Sequence, residues 1–244
     1  MPLGATPRNR PLLPRPRPNL ASDRHPRDAV PSESTETAVE AWLRSLHVLT
    51  DTAEAAREWR ERRYRFARKL GDALVAETED QAAIAGPVLY GVWLKWGLLY
   101  VGQTLEAERR LRDLAVGESH HLANTFPPEI WDRVVLVRWP ELQGAAEASE
   151  SLGARVVGLA LEHRMQMAEN PLANANRRTS TGGWRSVDRA RSASIGARAA
   201  PEVEPLFREL KRLWDCAATD AIQAQEDHAF VRCVRPASSL VDPA

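Results

Sequence analysis

The apolar positions of this chain do not keep one period. From Thr35 to Asp80 no proline intervenes, and Trp42, Leu43, Leu46 and Leu49, then Trp59, Phe66 and Leu70, recur at helical spacing. The pattern predicts one long helix or a helical pair broken near Thr50 and Asp51, with Asp51 as N-cap of the second part. On the opposite face arginines stand among glutamates at distances that allow pairs within the helix. After Pro87 the period shortens. Val88 to Leu94 is β-branched and aromatic, Lys95 to Gly97 reads as a turn, and Leu98 to Val101 is a second apolar run, so a β-hairpin is expected. Thr104 suits a cap, and Leu105 to Ala115 carries leucine and alanine at helical intervals, with Arg109, Arg110 and Arg112 among them. A third strand is predicted from Arg133 to Trp139, stopped by Pro140. A helix should come next, from about Ala146 or Ser151 to Ala168, ended by Asn170 and Pro171. Ser192 to Pro201 reads as a linker, and Val203 to Phe230 as an amphipathic helix with Leu206, Leu210, Leu213 and Trp214 on one stripe.

Ahead of this lies an arm, residues 1–33, whose closely spaced prolines forbid regular helix or sheet and whose sparse hydrophobics do not offset the cost of ordering. The expected organisation is a disordered Pro/Arg-rich arm (1–33), a helical segment (34–80), a mixed domain (86–178), a linker (179–201), and a C-terminal helix and tail (202–244). The two helical extensions are expected to pack together, or to meet a second copy as a homodimer through their apolar stripes.

Composition narrows the class. Of 244 residues 43% are hydrophobic, enough for a packed core, yet no apolar run approaches the roughly eighteen residues that span a bilayer. Prolines between the N-terminal arginines replace the apolar stretch of a secretory signal, so a cytoplasmic protein away from membranes is expected. Cys216 and Cys233 lack a second cysteine or a histidine at ligand spacing, which argues for reduced thiols and against structural zinc. Net charge is zero overall but +3 in residues 1–33, −2 in 34–80, −1 in 81–178 and 0 beyond. Only the arm is basic, so any phosphate contact by the core is expected to be local.

The residues that can carry chemistry fall in one order along the mixed region. Tyr100, Val101 and Gly102 are followed by Gln103 and Thr104, and nine residues lie between Tyr90 and Tyr100. Arg110 stands eight residues after Gly102 and precedes Leu111; Glu162 sits in a run otherwise lined by Val156, Val157, Leu159, Leu161 and Met165; Asn174 comes twelve residues later. This series resembles the GIY-YIG nuclease domain. Val88, Leu89 and Tyr90 take the place of GIY with valine for glycine, an alternative frame being Gly91, Val92 and Trp93, and Tyr100, Val101 and Gly102 take that of YIG. Arg110 resembles the family's helix arginine, with Arg109 and Arg112 as rivals, and Asn174 its supporting asparagine, with Asn176 as competitor. Leu114 departs from the family, which often has histidine or tyrosine there, and His120 or His121 in the next loop is a substitute donor or base.

The resemblance implies an α+β fold, GIY-YIG-like, with a small three-stranded antiparallel sheet flanked by helices. It implies metal-dependent endonuclease activity on nucleic acid, DNA foremost. Tyr90, Tyr100 and Arg110 would be catalytic, Glu162 would ligate Mg2+ or Mn2+, and Asn174 and His121 would support the site. A catalytically inactive nucleic-acid- or protein-binding module on the same scaffold is the alternative. Read without the family, the tyrosines are residues with β propensity, Arg110 a solvated helix residue, and Glu162 a helix glutamate paired with His163 or Arg164.

Overall fold

The structure, a computed structural model, describes residues 44, 47, 51–117, 122–174, 176–178, 184–219 and 229–236, with only the backbone of 176–178, 184 and 185. The arm at 1–33, the Trp42 to Leu49 part of the first stripe, and His120 and His121 lie outside the described residues. The chain divides into two compact units, Met1–Ala56 and Arg57–Ala244, and the second holds all the described strands.

Helix α1 (Ala53–Val75) runs across that division. Its first turn is capped by Thr52, whose hydroxyl accepts from Ala55 N at 3.0 Å, and not by Asp51. Next come β1 (Val88–Leu94), β2 (Gly97–Thr104), α2 (Ala107–Val116), a short α3 (Leu122–Thr125) and β3 (Arg133–Val137). After them stand α4 (Ala145–Leu152), α5 (Ala154–Glu169), the small strands β4 (Asn176–Arg178) and β5 (Trp184–Ser186), α6 (Ile195–Ala199), α7 (Glu204–Ala218) and β6 (Val231–Val234). The single helix expected before Ala168 is two, because Gly153 at φ 81° turns the chain in a conformation that side-chain-bearing residues rarely adopt. Asn170, at φ 46°, closes α5 with a left-handed cap, a conformation asparagine tolerates, and the helix ends just before Pro171 as expected.

The main sheet has four strands, not three, in the order β2-β1-β3-β6, each pair antiparallel. The fourth strand, β6, comes from the stretch read as helix and tail. Helix α7 stops at Ala218, and after residues outside the described set the chain returns to pair Val231–Val234 with β3. Side chains alternate across the sheet into two cores. Val88, Tyr90, Val92, Val134 and Leu136 face Leu70 and Leu74 of α1 and Leu111 and Leu114 of α2. Leu89, Trp93, Val101, Val135 and Val137 face Val157 and Leu161 of α5 and Leu210 and Trp214 of α7. With a core on each face, β1 is buried at every residue.

The C-terminal region departs from its expected form. The stretch expected as a linker contains α6, whose Gly196 lies so close to the carbonyl of Leu159 that a Cβ would stand 2.4 Å from its oxygen. Leu206, Leu210, Leu213 and Trp214, the stripe expected to meet a second helix or a second copy, are buried in this chain's own core. Trp214 packs on Trp93 with ring centroids 4.8 Å apart and lies directly over Gly91, where a Cβ would come within 2.3 Å of the indole. Gly91 is therefore a seat for Trp214. Buried Arg232 of β6 donates to the carbonyls of Leu74 and Ala82 and to the Gln81 side chain, tying the last strand to the end of α1. None of the described helices is long and apolar enough to cross a membrane.

Candidate active site

The β1–β2 hairpin places the two tyrosines. Its turn is only Lys95 and Trp96, and Leu94 pairs with Gly97 and Trp93 with Leu98. The register then shifts, so Val92 opposes Tyr100 and Tyr90 opposes Gly102, with Leu99 as the inserted residue. Without that bulge Tyr100 would oppose Gly91 and project from the other face of the sheet. With it, both rings lie on one face, centroids 6.0 Å apart and tilted by 38°. Gly102 completes the fit, since a Cβ there would stand 2.7 Å from both the Tyr100 ring and the Tyr90 hydroxyl.

Helix α2 brings the arginine. Thr104 Oγ1 accepts from Glu106 N at 3.0 Å just before the helix starts, and Arg110 Nε, one turn in, donates to Tyr90 Oη at 3.3 Å. Of the rivals, Arg109 is held by Glu106 at 2.8 Å, and Arg112 by Asp72 at 3.2 Å and Glu108 at 3.0 Å. Only Arg110 of the three meets the tyrosines. Leu114, one turn further on, is fully buried in the core.

Helix α5 approaches β2 from the opposite face, closely enough that a Cβ on Gly158 would stand 2.8 Å from Gln103 Oε1. One turn on, half-buried Glu162 accepts from Gln166 Nε2 at 2.9 Å and acts electrostatically on both tyrosines. Arg164 is directed elsewhere, paired with Glu204 and lying 4.7 Å over the Phe207 ring. Asn174 sits in a single 3-10 turn after α5 and grips the backbone of Val101 by both ends of its amide. Its Oδ1 accepts from Val101 N at 2.8 Å, and its Nδ2 donates to Val101 O at 3.0 Å. Gln166 also reaches Val101 O, at 3.3 Å. Asn176, the competitor, is described only in its backbone, as part of β4.

Gln166 is the site residue that sequence reading passed over. Its signal was present, because a glutamine four residues after a glutamate shares a helix face with it. On its outer side this part of α5, with Glu162, His163 and Gln166, lines a cleft of about 480 Å³ closed by the 186–196 segment, Arg189 and Arg191 included. Burial, then the charges of Arg189 and Arg164, hold the His163 imidazole below its ordinary value.

Electrostatics inside the cluster have a definite sense. Burial lifts the Tyr90 phenol above its ordinary value; Arg110 opposes this by charge and hydrogen bond, and Glu162 adds to it. Burial, then the Tyr90 and Glu162 charges, push the Tyr100 phenol well above the ordinary tyrosine range. For Arg110 burial works against the charge, but its contacts with both phenols outweigh it and raise its pKa, so it is a cation at every accessible pH. Near neutrality the site thus presents two protonated hydroxyls and one guanidinium.

These shifts make stability depend on pH. A phenol whose folded pKa exceeds its unfolded value of about 10 holds its proton more tightly in the folded chain. The stabilisation is fully present below about pH 10 and is lost as pH rises through the folded values. Thermal melts between about pH 8 and 11.5 should therefore fall more steeply at the alkaline end for the parent than for Tyr100→Phe. Equal slopes would mean that the Tyr100 phenol is not raised.

Among the described residues no three His, Cys, Asp or Glu side chains gather, so they build no closed protein cage for a metal. A single carboxylate suits a magnesium or manganese ion that keeps most of its waters and takes further oxygens from a phosphate ligand. Glu162 is the residue that would hold it. Comparison with protein-family models, curated proteins and solved structures returns no match to this chain.

Proposed function

We propose that this chain hydrolyses phosphodiester bonds of nucleic acid, DNA foremost, through a GIY-YIG-like site that uses Mg2+ or Mn2+. The observation that carries the reading is convergence. Tyr90 from β1, Tyr100 from β2 and Arg110 from α2 stand together on one face of the sheet, and the charge of Glu162 from α5 acts on both phenols, although 72 positions separate Tyr90 from Glu162. Independent structural roles give no reason for two phenols, a guanidinium and a carboxylate to act on one another.

Diester hydrolysis needs a positioned water, positive charge on the nonbridging oxygens and stabilisation of the leaving oxygen. Arg110 is suited to the second, with a permanent charge and an orientation set by the hydrogen bond to Tyr90. Half-buried Tyr100, kept protonated, orients water and donates a hydrogen bond to phosphate instead of serving as a phenolate base at neutral pH, while Tyr90, wholly buried, accepts from Arg110 and sets its direction. Asn174 fixes Val101, which lies between Tyr100 and Gly102, and Gln166 orients Glu162. A metal ion held at Glu162 would add Lewis-acid stabilisation of the leaving group.

The test is cleavage of single-stranded, duplex and branched DNA, and of RNA, with magnesium or manganese present and then chelated. Cleavage of at least one substrate, abolished by chelation, is the expected result. The burial of Leu114, where the family often has a donor, favours one second reading, a binding module on the same scaffold. Binding of these substrates without cleavage of any, in either metal, would establish that reading and end the nuclease proposal.

A further inference from the structure

The near-neutral charge of residues 34–80 conceals a local excess. Helix α1 (Ala53–Val75) carries seven basic residues and four acidic ones; the balancing acids Glu36, Glu40, Asp51, Glu77, Glu79 and Asp80 all lie outside it. Four of the seven basic residues take no part in the intrahelical pairs that the sequence allows. Arg60, Arg62, Arg65 and Arg68 are exposed and make no ion pair among the described residues, whereas Arg63 of the same helix is held by Glu129 at 2.8 Å. Between Arg60 and Arg68, one turn from each, stands Tyr64, 48% exposed although aromatic.

This stripe is continuous with the helix that bears Arg110. Tyr64 and Arg68 share a cleft with Arg112 and Asp113 of α2 and with Asp72, which pairs with Arg112. Just beyond it the helices touch backbone to backbone, because Gly71 leaves room where a Cβ would stand 2.9 Å from the Arg112 Cα. Arg112 is two residues from Arg110. From Arg60 to Arg68 the helix rises about 12 Å, the axial length of about three to four phosphates of one strand.

We propose that the Arg60, Tyr64, Arg65 and Arg68 face of α1 is the docking surface for the nucleic-acid strand flanking the scissile bond. The arginines take backbone phosphates and Tyr64 stacks on an unpaired base. The inference rests on the nuclease reading above and deepens it, naming as substrate a strand with a single-stranded stretch beside the cleavage point. Charge complementarity selects the occupant. Cations without acidic partners, interleaved with an exposed ring, fit a polyanion with stacking bases better than a protein surface.

The experiment measures binding of a labelled single strand and of the matching duplex by fluorescence anisotropy, with metal chelated so that nothing is cut. The substituted residues are exposed, and a thermal melt checks that each variant folds. Arg60→Gln/Arg65→Gln/Arg68→Gln should weaken both ligands about tenfold or more at low salt and lower the slope of log affinity against log salt by about two to three. Tyr64→Ala should weaken the single strand about fivefold or more and leave the duplex nearly unchanged. Glu58→Gln/Glu61→Gln, which removes negative charge beside the stripe, should tighten both. Parental affinity and salt slope in the triple variant would overturn the docking surface. Failure of the nuclease reading shows separately. Hydrolysis of a small diester, bis(p-nitrophenyl) phosphate, too short to span the stripe, should proceed at the parental rate in the triple variant and vanish in Arg110→Ala. A parent that hydrolyses neither the small diester nor nucleic acid, yet binds through the stripe, overturns the active site and leaves the docking surface standing.

Discussion

Glu162→Gln is expected to fold with near-parental stability and to lose metal-dependent cleavage by a factor of about a hundred or more. The substitution keeps size and shape, and the glutamine still offers an amide oxygen to Gln166 Nε2, which meets the carboxylate at 2.9 Å. What disappears is the charge, and with it the carboxylate of the cluster on which a divalent cation can rest. As a structural helix residue, half-exposed and bonded to a neutral amide, Glu162 would be nearly dispensable, so activity separates the two roles and stability does not. Arg110→Ala should behave alike in activity. A Glu162→Gln protein that cuts as fast as its parent would end the assignment of catalysis to this cluster.

The largest loss of stability is expected from Trp214→Ala, at about 3–5 kcal/mol, or a fall in Tm of about 6–20 °C. The indole is fully buried, packs at a tilt on Trp93 and occupies the space that Gly91 leaves over the central strand. Its removal opens a cavity that a glycine on one side cannot fill. The variant also decides between two descriptions of the C-terminal region. A dispensable extension would tolerate the change within about 0.5 kcal/mol, whereas a region that supplies a core helix and a sheet strand would not. Differential scanning calorimetry of the two proteins measures the difference.

The strands β1, β2 and β3 were legible because each is a short apolar run bounded by turn residues or proline, and α2 because its leucines keep one helical face. β6 was not. Its four residues, Val231–Val234, include an arginine whose burial depends on carbonyls about 150 positions away or more. No local pattern reports such a contact. The order of Tyr90, Tyr100, Arg110, Glu162 and Asn174 was readable in the chain, and the structure brings all five to one place. The bulge behind the tyrosines' shared face was not readable. The expected three-residue turn at Lys95 to Gly97 would already pair Val92 with Tyr100, whereas the turn has two residues and the residue inserted at Leu99 restores that match. A bulge leaves little trace in composition. The arginine stripe of α1 was hidden differently, by acids that neutralise the segment in a charge count but lie beyond the helix that displays the arginines.

The grip of Asn174 on Val101 reaches beyond the candidate site. Among the described strands β2 is the outermost on its side of the sheet, the position where unpaired amides and carbonyls invite a foreign strand to add on. At Val101 both groups are already taken, the N–H by Asn174 Oδ1 and the carbonyl by Asn174 Nδ2 and Gln166. A side-chain amide here imitates a neighbouring strand for the length of one residue and halts further pairing at that point. The contact that steadies the tyrosine-bearing strand is therefore also a guard against self-association, so loss of Asn174 would expose this border to aggregation as well as loosen the site.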